Sequence, residues 1–151
     1  MTQFQTDHAK GRFTPPVAYG AGHEMVAVYE YTFDRDYTAA SDIIELGPLP
    51  GTAKITGATL IGEGLGSTTA NVGIMTGEPS EDLDAEGAQR ALTADLLFDG
   101  VSVNNNEAEA AALTCMGIAK ASDHRGIGAT IAGNVAAGAA KKLTLVLRYT
   151  Y

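Results

Sequence analysis

The sequence predicts a mainly β protein, a β-sandwich of jelly-roll type with about eight strands, and three observations lead there. Apolar runs are short and are closed by glycine and proline, with 18 glycines in 151 residues. Two stretches alternate with the period of two that a half-buried strand requires: Met25 to Phe33, and Leu143 to Thr150. No βαβ alternation and no internal repeat runs along the chain.

Residues 1–22 are polar and glycine-rich, with Phe4, Phe13, Pro15, Pro16, Val17 and Tyr19 spaced along them. Pro15-Pro16 favours an extended backbone and excludes a helix. The expectation is an extended N-terminal arm over 1–22 and a single β-sandwich domain over 23–151. Phe4, Phe13, Pro15, Pro16 and Tyr19 are the candidate partner contacts, and removing 1–22 is expected to leave the fold intact.

His23 to Phe33 is the first strand, with Met25, Ala27, Tyr29, Tyr31 and Phe33 on one face. Ile43, Ile44 and Leu46 form the next, expected to stop at Gly47-Pro48-Leu49-Pro50-Gly51 because proline cannot continue a ladder. Ile55, Ala58, Leu60 and Ile61 among threonines read as a third strand, and Thr69 to Thr76 as a fourth, across the turn Gly62–Ser67. An acidic loop covers 77–87. Ala88 to Phe98 carries a helical stripe of Ala88, Leu92 and Leu96, with a strand ending at Phe98 as the competing reading. Val101–Val103 is brief and extended. Asn104–Asn106 then offers a cap to the alanine-rich, helix-favouring Glu107–Leu113, so one or two short helices are expected within 88–113. Cys115–Ala119, Gly126–Ala132 and Leu143–Tyr151 complete the strands.

Charge and cysteine content narrow the function. The net charge of -8, with basic residues scattered and only Lys141-Lys142 adjacent, disfavours nucleic acid and anionic membrane. A lone Cys115 excludes an intrachain disulfide or two-cysteine redox motif, and its setting between Thr114 and Met116 suits a buried small hydrophobe. No apolar run approaches the ~20 residues of a membrane span. The N-terminus lacks a signal-peptide core, which suggests a soluble protein kept in a reducing cytoplasm.

The motifs that resemble catalytic or metal chemistry are incomplete. Asp82, Asp84 and Glu86 before Gly87 copy the first half of a calcium loop, but its ninth position is Arg90 and its twelfth Thr93. Gly62, Gly64 and Gly66 lack the spacing and the following helix of a phosphate cradle. His8, His23 and His124 are isolated in sequence, and Ser122-Asp123-His124 has no nucleophile elbow. No catalytic residue, metal or cofactor is expected.

With the elements placed, the chain resembles the head decoration, or capsid cement, proteins of tailed bacteriophages. The resemblance is carried, in order, by Thr14-Pro15-Pro16-Val17-Ala18-Tyr19-Gly20-Ala21-Gly22; by Ile44 to Thr52 leading to Ile55 to Leu60; by Leu65-Gly66 with Asn71 to Ile74; and by Arg125 to Thr130 before the strand ending in Tyr149. It covers most of the chain from Thr14 onward, with Glu78 to Leu113 the least similar part. It implies a non-enzymatic jelly-roll protein on the outer head surface of a virion, assembled in the host bacterial cytoplasm. Its partners would be the major capsid protein and sister copies, as a dimer or trimer. Three rival readings are another virion component, such as a head fibre or tail part; a calcium- or carbohydrate-binding β-sandwich module; and an enzyme with a metal bound by His8, His23 and His124.

Overall fold

A computed structural model describes residues 2–12 and 23–151. Among them, nine strands form two sheets. In chain order they are β1 (Gln3–Gln5), β2 (Met25–Thr32), β3 (Ile43–Leu49), β4 (Lys54–Glu63), β5 (Thr69–Met75), β6 (Leu92–Ser102), β7 (Asn106–Glu109), β8 (Arg125–Ile131) and β9 (Lys142–Thr150), with one helix, α1 (Ala112–Gly117), between β7 and β8. One sheet runs β1-β3-β8-β5-β6 and the other β2-β9-β4-β7. From β2 onward every connection except the β5–β6 hairpin crosses between sheets, and all neighbours except the parallel β1–β3 pair are antiparallel. This winding closes a β-sandwich of jelly-roll type.

Alternation decides which side chains fill it. Ala27, Tyr29 and Tyr31 of β2 face Leu143, Leu145, Leu147 and Tyr149 of β9 along an unbroken eight-pair register. The opposite sheet contributes Ile44, Leu46 and Leu49 from β3, Val72 and Ile74 from β5, and Ile127, Ala129 and Ile131 from β8. Because side-chain direction has a period of two, each strand commits one set of residues to the core and the other outward.

Three expectations are corrected. The chain does not stop at Gly47: β3 continues through Pro48 to Leu49, paired with β8, after a bulge between Glu45 and Gly47. β1 pairs with β3 only as far as Glu45, so Pro48 sits where β3 is an edge and its missing N–H breaks no ladder. Gly47 is also required by packing, since a Cβ there would lie 2.6 Å from Cε1 of the buried Tyr29 ring.

The helical reading of 88–98 gives way to its competing strand reading, and the helix expected over 107–113 is overturned for Asn106–Glu109. Residues 92–102 are β6, hydrogen-bonded to β5 through three register shifts, and 106–109 are β7 on the edge of β4. Backbone partners on β5 and β4 outweigh the alanine propensity, which is worth only tenths of a kcal/mol per residue. The helix instead spans 112–117, so Cys115 lies on a helix and not on a strand. It is fully buried in the core, and burial raises its thiol pKa.

Finally, residues 2–12 are packed on the sandwich. Phe4 lies in the core beside Tyr31 and Tyr37, and Thr6 and Ala9 are buried with it. Among the described residues no helix is long and apolar enough to cross a membrane.

Candidate functional site

The informative features among the described residues are outward surfaces and one buried charge pair. His124 accepts a hydrogen bond at Nδ1 from the Gly51 N–H, 2.9 Å away, while His8 stacks edge-on against Tyr29. No three His, Cys, Asp or Glu among the described residues are grouped so as to hold a metal ion. The calcium-like residues are not assembled either. Leu83 and Gln89 form a β-bridge, and Asp84 Oδ1 accepts from the N–H groups of Glu86 and Ala88, so this carboxylate shapes a tight loop. An open groove of 730 Å³ lined by Ile61, Glu63, Asn105, Glu107 and Lys142 contains no nucleophile beside a base.

Arg90, which spoiled the calcium pattern, turns inward. Its Nη1 lies 2.8 Å from Glu45 Oε2, and both side chains are fully buried. Arg90 also donates through Nε to the carbonyl of Thr76 and through Nη1 to that of Glu81. Glu45 Oε2 accepts from Gln3 and Gln5 Nε2 at 2.9 and 2.7 Å, and its Oε1 accepts from the Ser80 N–H. Glu45 projects from the outer face of the five-stranded sheet and is dry because loop 76–91 folds over that face. Gly126 makes room, since a Cβ there would collide with Arg90 Nη2 and Glu45 Oε1. Sequence reasoning missed this pair. The one signal was Ile43 on the same face as Glu45, an apolar residue pointing away from the core.

Among the described residues, large apolar side chains are exposed on β2, on α1 and at Leu83 of loop 76–91. On β2, Val26 and Val28 are 50% and 51% exposed and neighbour Arg148 and Val146 of β9. Ion pairs Lys142–Glu30 at 3.1 Å and Arg148–Glu109 at 3.0 Å lie on this face. Hydrogen bonds from Thr59 and Arg148 lower the Glu109 pKa. On α1, Leu113 is 87% and Met116 52% exposed, while Cys115 faces the core. Lys54 Nζ donates to the carbonyls of Met116 and Ile118, holding the C-terminal end of this short helix in place. Of the residues predicted as partner contacts, Phe4 is inside this chain's own core. Phe13, Pro15, Pro16 and Tyr19 lie outside the described residues.

No family model matches the chain, and no curated protein matches it. Among solved structures, a chain of the capsid of Ralstonia phage GP4 superposes with a TM-score of 0.84 at 32% identity, covering 99% of this chain and 97% of that one. This chain belongs to that phage capsid protein family. It is therefore a virion structural protein, built on the β-sandwich described above. Chains from the cyanophage Pam1 capsid asymmetric unit and from the acidic stable capsid of Helicobacter pylori bacteriophage KHP30 also match. Their identities are 19% and 17%, with TM-scores of 0.49 and 0.46. They cover 94% and 87% of this chain, and 94% and 90% of their own lengths.

Proposed function

We propose that this capsid-family protein is a head decoration protein that binds the outer surface of the shell and cements neighbouring copies of the major capsid protein. The observation that carries this reading is the end-to-end match, at 32% identity, to a chain of a phage capsid. The surface chemistry supports it. A net charge of -8 suits the outer face, away from packaged DNA. Exposed Val26, Val28, Leu83, Leu113 and Met116 supply apolar anchors. Residues 13–22, with Phe13, Pro15, Pro16 and Tyr19, are proposed as a further contact to the capsid or to a sister copy.

The job is structural, not catalytic. Many modest contacts repeated over a lattice sum to a large effect, because each contact after the first forms at high effective concentration. A rigid sandwich suits that task, since little conformational freedom is lost on binding. The same argument favours a homo-oligomer, which would double or triple the contacts per binding event.

Quantitative mass spectrometry of purified particles tests the proposal. A copy number equal to that of the major capsid protein, or a simple fraction of it, is the expected result. A handful of copies per particle would transfer the assignment to a vertex, fibre or tail component. Complete absence from the particle would refute it.

A further inference from the structure

We propose that residues 2–12 and loop 76–91 form one conformational unit, latched by the buried Glu45–Arg90 pair, that opens as a whole while the sandwich stays folded. This inference concerns the isolated protein and does not depend on its role in a shell.

The hydrogen bonds converge on one carboxylate. Glu45 holds the N-terminal segment through Gln3 and Gln5, and holds the loop through Arg90 and the Ser80 N–H. The two segments also grip each other directly. Gln3 Nε2 donates to the carbonyl of Glu81 at 3.2 Å, and the Ser80 hydroxyl donates to the carbonyl of Ala9. Removing either segment therefore strips partners from the other.

The attachment is also weak compared with the strands below it. β1 is a three-residue strand at a sheet edge, paired in parallel, whereas β5, β8 and β9 each pair on both sides. On this outer face the sheet presents Gly126 and Gly128, and its buried apolar side chains outside the core are Ile43 and Met75. The network is incompletely satisfied, because Arg90 Nη2 and Gln3 Oε1 are buried with no hydrogen-bond partner among the described residues. A buried charge pair with orphaned donors and acceptors specifies a geometry better than it stabilises one. Ser80, at the junction, is held at φ 69, a left-handed conformation that serine rarely adopts. Opening would relieve that strain, hydrate both charges and uncover the β3 edge at Ile43–Glu45 with the Phe4 socket lined by Tyr31 and Tyr37. An exposed strand edge beside an apolar socket is a site to which another strand can add.

Amide hydrogen exchange on the full chain tests the unit. Residues 2–12 and 76–91 should exchange through one common opening, faster than β5, β8 and β9. Arg90→Met should speed exchange in both segments by about tenfold or more and leave β5, β8 and β9 unchanged. A disulfide engineered by Ala9→Cys with Ser80→Cys should slow exchange in both, which keeps the test available if Arg90→Met does not fold. Independent exchange rates in the two segments, a response to Arg90→Met or to the disulfide confined to one of them, or exchange in both only through global unfolding would overturn the proposal.

Discussion

Replacing Gly47 by alanine tests the packing between the two sheets, and its cost follows from distances. An added Cβ would sit 2.6 Å from Cε1, 2.7 Å from Cδ1 and 2.8 Å from Cζ of Tyr29. Carbon atoms prefer separations of about 3.5–4.0 Å, so the ring must retreat by about 1 Å. It has nowhere easy to go. Tyr29 is fully buried, and its hydroxyl donates to the Pro48 carbonyl at 2.6 Å. Forced repacking in a tight core costs about 1–3 kcal/mol, and the strained hydrogen bond adds about 1 kcal/mol. The sum, about 2–4 kcal/mol, should lower the Tm by roughly 10 °C for a chain of this length. Gly47 is not among the glycines at positive φ, so the penalty is steric and not conformational.

Urea unfolding of a double-mutant cycle isolates the effect. Tyr29→Ala alone should cost about 3–5 kcal/mol through the cavity it leaves. In that background Gly47→Ala should become nearly free, within about 0.5 kcal/mol, because the ring it strikes is gone. Equal cost in both backgrounds, or no cost in the wild type, would refute the reasoning.

Three other outcomes are expected. Burial raises the pKa of Tyr31 and of Tyr149 to about 12, against 10.0 for an unburied tyrosine. Their neutral forms thus support the fold fully below pH 10, and that support is lost as pH rises towards 12, so stability should fall by about 1.4 kcal/mol per pH unit for each tyrosine; alkaline titration followed by circular dichroism checks this, and an unchanged urea midpoint across that window would contradict it. Leu113→Ser with Met116→Ser should change stability by about 0.5 kcal/mol or less, as exposed positions do, yet weaken binding to particles stripped of this protein; unaltered binding would remove α1 from the contact surface. Deletion of residues 1–22 should destabilise the sandwich by about 3 kcal/mol or more, since it removes the buried Phe4 together with Thr6 and Ala9; an unchanged melting curve would mean that Phe4 is dispensable to the core.

The contrast between β9 and the segment 88–117 shows what could be read locally. Leu143, Leu145, Leu147 and Tyr149 alternate without interruption, and all four are buried where the period places them. Residues 88–117 carry conflicting local preferences, alanines favouring helix and Leu-Leu-Phe favouring strand. The conflict was resolved by the open edges of β5, the hairpin partner of β6, and of β4, which pairs with β7 from far away in sequence. The surface anchors were even less legible, because Leu113 and Met116 look no different from core residues until the face of α1 that holds Cys115 is known.

Local chemistry alone determined the class of this protein. Period-two alternation and glycine- and proline-punctuated runs specify a mainly β protein, a β-sandwich. The tertiary structure decided what depends on partners distant in the chain. It joined β1 to β3, carried β3 through Pro48, and buried Glu45 against Arg90. Strand pairing and charge burial are set by residues tens of positions apart, and no local pattern encodes which of them will meet.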